Sequence, residues 1–160
     1  MNFIGANILS VDQFNLDDVN TLFSVAEKMQ PYATREKVTK VLDGAILGNI
    51  FLESSTRTRV SFGSAFNLLG GHVRETSDVS SSAFVKGESV RDAARILSGY
   101  SDVICIRHPK SGSVKEFADF SRVPVINGGD GSNEHPTQAL LDLFTIKKEL
   151  ENKNRDLSKL

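Results

Sequence analysis

Ser55, Thr56, Arg57 and Thr58 set three hydroxyls and a guanidinium in four consecutive positions. That combination suits the holding of a phosphate. A guanidinium offers a planar fork to phosphate oxygens, and hydroxyls add single donors. If a helix starts there, its unpaired N–H groups and the positive end of its dipole attract the same anion. The plain alternative is a capped surface helix with Arg57 and Arg59 solvated, and hydroxyls alone would favour it. Two arginines interleaved with two threonines, straight after an apolar run, tip the balance toward an anion site. It is not a P-loop, because no Gly-x4-Gly-Lys-Ser/Thr occurs, and no Gly-x-Gly-x-x-Gly follows a strand. Two other stretches carry similar chemistry: Arg107-His108-Pro109, and His135-Pro136-Thr137-Gln138. Singly, each has a structural reading. Arg107 could be an ion-pair partner, His135 before a proline a capping residue, and Gln138 a surface residue.

The elements that would position these residues follow from hydrophobic patterning. Ala45 to Leu52 is an apolar run that reads as a buried strand, and it stops at Glu53-Ser54-Ser55, residues that favour helix N-caps. From Thr56, the apolar positions Val60, Phe62, Ala65, Phe66 and Leu69 fall at helical spacing, and Gly70-Gly71 ends them. Upstream, Asn15-Leu16-Asp17-Asp18 opens a helix that Pro31 should end. Downstream, residues 72–76 read as a strand, 77–88 as a long polar loop, and Ser89 as the cap of a helix with Val90, Ala93, Ala94, Ile96 and Leu97 on its apolar face. A third strand covers Asp102 to Ile106, a helix Val114 to Phe120, and a fourth strand Val123 to Asn127, where Pro124 points to an edge or a strand start. Gly128 to Glu134 should turn sharply. A last helix then starts with Pro136 in its first turn and buries Ala139, Leu140, Leu143, Phe144, Ile146 and Leu150. Glu151 to Lys159 is charged and reads as a fraying helix end or linker.

Strands alternating with helices predict an α/β fold: an open four-stranded parallel sheet with helices on both faces. Such sheets bind ligands beyond the carboxyl ends of their strands. The first, third and fourth strands end at Ser55-Thr56-Arg57-Thr58, at Arg107 and at the segment before His135. Their convergence on one edge raises the functional reading above the structural one, while His72 and His108 read as structural.

Bulk properties narrow the class. With 160 residues, 39% apolar and 24% charged, the chain fits one soluble domain with a real core. A net charge of −1 provides no basic field for nucleic acid, so any anion site must be local. The single cysteine, Cys105, cannot form an internal disulfide and sits in an apolar run, so it reads as core. No apolar run is long enough to span a membrane, and no signal peptide is evident, which makes the cytoplasm the default. Three histidines without paired carboxylates or cysteines suggest no metal, and no serine or cysteine sits in a nucleophile elbow.

The same residues resemble a known family. Ser55-Thr56-Arg57-Thr58-Arg59 and His135-Pro136-Thr137-Gln138 look like elements shared by the aspartate and ornithine carbamoyltransferases. Arg107-His108-Pro109, Lys86-Gly87-Glu88 and Gly129-Asp130-Gly131-Ser132-Asn133-Glu134-His135 look like the aspartate enzymes. The resemblance covers nearly the whole chain and is to their amino-terminal, carbamoyl phosphate-binding half. It implies a transferase of pyrimidine biosynthesis that moves a carbamoyl group from carbamoyl phosphate to L-aspartate and needs no cofactor or metal. By resemblance, Ser55, Thr56, Arg57, Thr58 and Arg107 hold the phosphate. Thr58, Arg107 and His135 contact the carbonyl oxygen, and Gln138 contacts the carbamoyl amide. Ser82 and Lys86 reach the active site of a neighbouring subunit of a homotrimer, and Lys86 counts there among the catalytic groups. A regulatory chain accompanies some such trimers. Ser54 stands where many members have Pro, and Phe84-Val85-Lys86 stands where many have Gly-Lys-Lys.

In this family a second α/β domain supplies most aspartate contacts. The expectation is therefore residues 1–150 as the carbamoyl phosphate domain and 151–160 as the start of a linker to an aspartate-binding domain. Such a half should hold carbamoyl phosphate weakly and turn over poorly alone. The competing readings are half of an ornithine or other carbamoyltransferase, and a non-catalytic module that binds a phosphate ligand.

Overall fold

The computed structural model describes residues 1–76 and 88–155. Among them a parallel sheet is built from β1 (Ile46–Phe51), β2 (His72–Thr76), β3 (Val103–His108) and β4 (Val125–Asp130), in the order β2-β1-β3-β4. Helices α1 (Leu16–Ala33), α2 (Thr56–Leu68), α3 (Val90–Ser98), α4 (Ser113–Phe120) and α5 (Pro136–Asn152) alternate with the strands as expected.

Strand alternation sorts the core onto two faces. Ile50, Leu52, Ile104, Ile106 and Val125 pack with Ala93, Ala94, Val114, Phe117 and Ala118 in the larger cluster, under α3 and α4. Leu47, Phe51 and Cys105 point the other way and meet Phe62 and Phe66 of α2 in the smaller one. Burial pushes the Cys105 thiol pKa far up, in keeping with a core residue. Helix α1 is tied to α5 by the edge-on pair Phe23–Phe144, with ring centroids 5.2 Å apart, and by Glu27, which accepts from Lys148 Nζ at 2.6 Å and Lys147 Nζ at 3.3 Å.

The structure corrects several local expectations. Pro31 lies inside α1, which runs two residues further to Ala33. Proline this close to a helix end forfeits one hydrogen bond without stopping the turn after it. β4 begins at Val125 and continues through Gly128-Gly129-Asp130, so the glycines expected in a loop are strand residues. Pro124 therefore stands just before the strand, and β4 is an edge, as a proline there suggested. That edge is partly covered: Ile8 bridges to Ile126, and Asn7 Oδ1 accepts from Val125 N at 2.8 Å. Val60, Ala65, Ile96, Ala139 and Ile146, all assigned to buried faces by helical spacing, are exposed. No described helix is long and apolar enough to cross a membrane.

Candidate functional site

The order β2-β1-β3-β4 makes β1 and β3 neighbours while their connections leave in opposite directions. That is the switch point at which open α/β sheets leave a crevice. An open cleft of about 1030 Å³ lies there, lined by Ser54, Ser55, Thr56, Arg57, Thr58, Arg107, His135 and Gln138, with Ser61, Phe62, Ala65, Thr137 and Leu141. The seven cleft residues named from sequence thus come together at the β1, β3 and β4 ends. Ser82 and Lys86 lie outside the described residues.

β1 delivers the chain into α2 with Ser55 at the N-cap position, in extended backbone (φ −156°). Its side chain makes no capping hydrogen bond, contrary to the expectation that a serine there would cap, and the first turn holds no acid. The first-turn amides of α2 therefore face the cleft with no carboxylate competing for them. Arg57 is exposed on that turn and has no carboxylate partner among the described residues. Arg59 faces away: it pairs with Glu75 Oε2 at 2.7 Å, and its carbonyl accepts from the buried Asn49 Nδ2 at 3.0 Å. It ties α2 to β2 and leaves the cleft to Arg57.

Arg107 reaches the cleft because it shares the parity of Val103 and Cys105, the β3 residues that point toward α2. It pairs with Phe51 across the ladder, and its carbonyl accepts from Leu52 N at 2.9 Å. Its Nε donates to Glu53 Oε2 at 3.1 Å and its Nη1 to the Gly128 carbonyl at 3.4 Å. The guanidinium is thus anchored along one edge. It passes so close to Gly129 (φ +130°) that a Cβ there would lie 2.7 Å from Nη1. Only glycine suits both that backbone and that approach. His108, of opposite parity, turns from the cleft, and its Nδ1 accepts from Lys110 N at 3.0 Å, which fits its structural reading.

His135 occupies the N-cap position of α5 without a side-chain cap bond. Its pKa is lowered, first by burial and then by the Arg107 charge, so the ring is neutral near pH 7. Thr137 Oγ1 lies 3.4 Å from Nδ1. A hydroxyl donating there leaves the ring proton on Nε2. Asp130, at the end of β4, holds the start of α4, its carboxylate accepting from Gly112 N at 2.8 Å and Val114 N at 3.3 Å. Gln138 donates its Nε2 to Asp142 Oδ1 at 2.8 Å. In all, the cleft offers two guanidiniums, hydroxyls, helix amides and a neutral imidazole to one anion.

Comparison with known proteins shows which family has this sequence and fold. Residues 6–148 match the family model for the aspartate/ornithine carbamoyltransferase carbamoyl-P binding domain. The chain belongs to this family. It is 68% identical over all 160 of its residues to the aspartate carbamoyltransferase catalytic subunit of Cellvibrio japonicus, covering 47% of that protein. It is 46% identical over 149 residues to that of Methanosarcina barkeri, covering 93% of this chain and 48% of the relative. The aspartate transcarbamoylase of Trypanosoma cruzi, solved with carbamoyl phosphate, superposes with a TM-score of 0.85 at 40% identity, over 92% of this chain and 48% of that one. The chain spans about half the length of the curated relatives it matches.

Within this carbamoyl-P binding domain, sequence reasoning missed the parts that support the site. Glu53 was read only as a cap-favouring residue, yet it anchors Arg107. Gly129 was read as part of a turn, yet it makes room for the guanidinium. Asp142 had one available signal, its spacing of four residues after Gln138 on the same helix, whereas the Thr137 contact with His135 had none.

Proposed function

We propose that the chain is the carbamoyl phosphate-holding half of an aspartate carbamoyltransferase, a cytoplasmic enzyme of pyrimidine biosynthesis. The observation that carries this reading is the uncapped start of α2, with Arg57 on its first turn, facing Arg107, His135 and Gln138 across one cleft. The names of the relatives support aspartate, rather than ornithine, as acceptor.

Ser55, Thr56, Arg57 and Thr58 hold the phosphate together with the α2 amides, and Arg107 bridges phosphate and carbonyl. The aspartate amine, as free NH2, attacks the carbamoyl carbon, electron density moves onto the carbonyl oxygen, the C–O bond to phosphate then breaks, and the departing phosphate takes the proton that the nitrogen loses. Thr58, Arg107 and His135 Nε2–H face the oxygen on which the charge develops. Fixed donors at that point lower the barrier without reorganising during the reaction. His135 acts as a neutral donor, not as a general base. Gln138 engages the carbamoyl nitrogen, and Arg57 stabilises the departing phosphate. Acceptor contacts come from the part of the relatives' length that this chain does not cover. In a homotrimer, Ser82 and Lys86 serve the site of the neighbouring subunit.

The test mixes the chain with the complementary half of the Cellvibrio japonicus relative and supplies carbamoyl phosphate with aspartate or ornithine. The expected result is N-carbamoyl-aspartate and phosphate from aspartate alone, with little turnover by the chain by itself. Transfer to ornithine, or no transfer by a mixture shown to associate and to bind carbamoyl phosphate, contradicts the reading.

A further inference from the structure

Gln138 carries the only side-chain amide among the described residues lining the cleft, and such an amide can present either a carbonyl acceptor or an NH2 donor. Its partner decides which. Asp142 stands one helical turn on, at the i+4 position of α5, with Oδ1 2.8 Å from Gln138 Nε2. An ionised carboxylate only accepts hydrogen bonds, so the Gln138 NH2 must turn toward it. The amide is planar, and its Oε1 is left on the other side. We infer that Asp142 is a positioning residue: it holds Gln138 with its carbonyl toward the cleft and so makes the site choose a ligand bearing N–H at that point.

This inference rests on the carbamoyl phosphate reading and adds its basis for selectivity. The two guanidiniums and the α2 amides recognise any acyl phosphate through its phosphate group. They do not distinguish a carbamoyl NH2 from the methyl of an acetyl group. A carbonyl acceptor held in place does, because a methyl leaves it without a donor. If the Gln138 amide could rotate, water or the opposite face would satisfy it with either ligand, and the preference would fade.

The experiment is calorimetric titration of the chain with carbamoyl phosphate, acetyl phosphate and inorganic phosphate. It is repeated for Asp142→Ala, Asp142→Asn, Gln138→Ala and the double alanine variant, with thermal unfolding as the folding control. Both acyl phosphates carry the same phosphate group, so their affinity ratio cancels any general change in anion binding. The wild-type chain should prefer carbamoyl phosphate by about fivefold or more. Asp142→Asn, which keeps one acceptor but also offers a donor, should retain part of that ratio. Asp142→Ala should bring it close to the Gln138→Ala value, and the double variant should lose nothing further, as expected of residues acting through one contact. A full ratio in Asp142→Ala, or losses that simply add in the double variant, overturns the inference. A wild-type chain that binds phosphate and both acyl phosphates equally also overturns it, while the anion site stands. A folded wild-type chain that binds none of the three overturns the carbamoyl phosphate reading, and this inference with it.

Discussion

Helices α1 and α3 start behind side-chain caps, whereas α2 and α5 start without them. Asn15 accepts from Asp18 N in a reciprocal capping box, and Ser89 accepts from Asp92 N, with acids in both first turns. Helix α4 has a glycine at its N-cap position but borrows the carboxylate of Asp130 from β4. Helices α2 and α5 have no capping side chain and no first-turn acid, and both open into the cleft. The first group is complete by itself. The second leaves its positive ends for a negative charge that no described first-turn residue supplies. Local stability and anion binding thus draw on the same backbone groups, and this fold divides the two uses by position.

Exchanging the two kinds of start should have the largest effect. Ser55→Asp places a capping carboxylate where the phosphate would sit. Carbamoyl phosphate affinity should fall about hundredfold or more, since like charges in contact cost several kcal/mol. Thermal stability should hold or rise, because aspartate is a good N-cap. Undiminished binding measured by calorimetry would break the comparison.

A smaller effect is expected at the β4 end. Gly129→Ala pushes a Cβ to within 2.7 Å of Arg107 Nη1, in a backbone with φ +130°. Affinity should drop about tenfold, in line with a lost charge-assisted contact, and stability by roughly 1 kcal/mol. A variant that loses stability but keeps its affinity would show that Arg107 is not a ligand contact.

At a capped start the outcome should be reversed. Asn15→Ala should cost about 1 kcal/mol of unfolding free energy and leave carbamoyl phosphate affinity unchanged. Denaturant titration and calorimetry read the two quantities separately.

The arrangement of strands and helices was readable because strand and helix periods are local properties of the chain. The alternation along β3 is enough to send Arg107 to the α2 side and His108 away from it. What the sequence concealed is non-local. A serine before a helix looks like a cap whether or not its hydroxyl caps, and Ser55 does not. The contact between Glu53 and Arg107 joins residues 54 positions apart. Glycines read as loop became strand because β3 pairs on either side of them: Ile106 registers with Asn127 and His108 with Asp130, across a bulge. Helical spacing marks which residues share a face but not what covers it. Ala65 of α2 accordingly lines the cleft, and Ile146 of α5 is exposed.

The smallest expected effect concerns pH. Burial lowers the pKa of both His108 and His135 below the ordinary imidazole value. The unfolded chain therefore binds more protons than the folded one between the lowered values and about 6.5. Stability should be at its plateau above that range and decline as pH falls through it. His135→Gln should flatten part of the decline in thermal unfolding midpoints. An unchanged profile would remove the case for a neutral imidazole at the α5 start.

The most direct test of the central claim is calorimetric titration of carbamoyl phosphate into the chain, with inorganic phosphate as competitor and Arg57→Ala as control. Saturable binding that phosphate displaces, and that Arg57→Ala reduces at least about tenfold, is the predicted result. Binding that survives Arg57→Ala unchanged, or no binding by a folded chain, would contradict the claim that the uncapped α2 start and its arginine form the anion site.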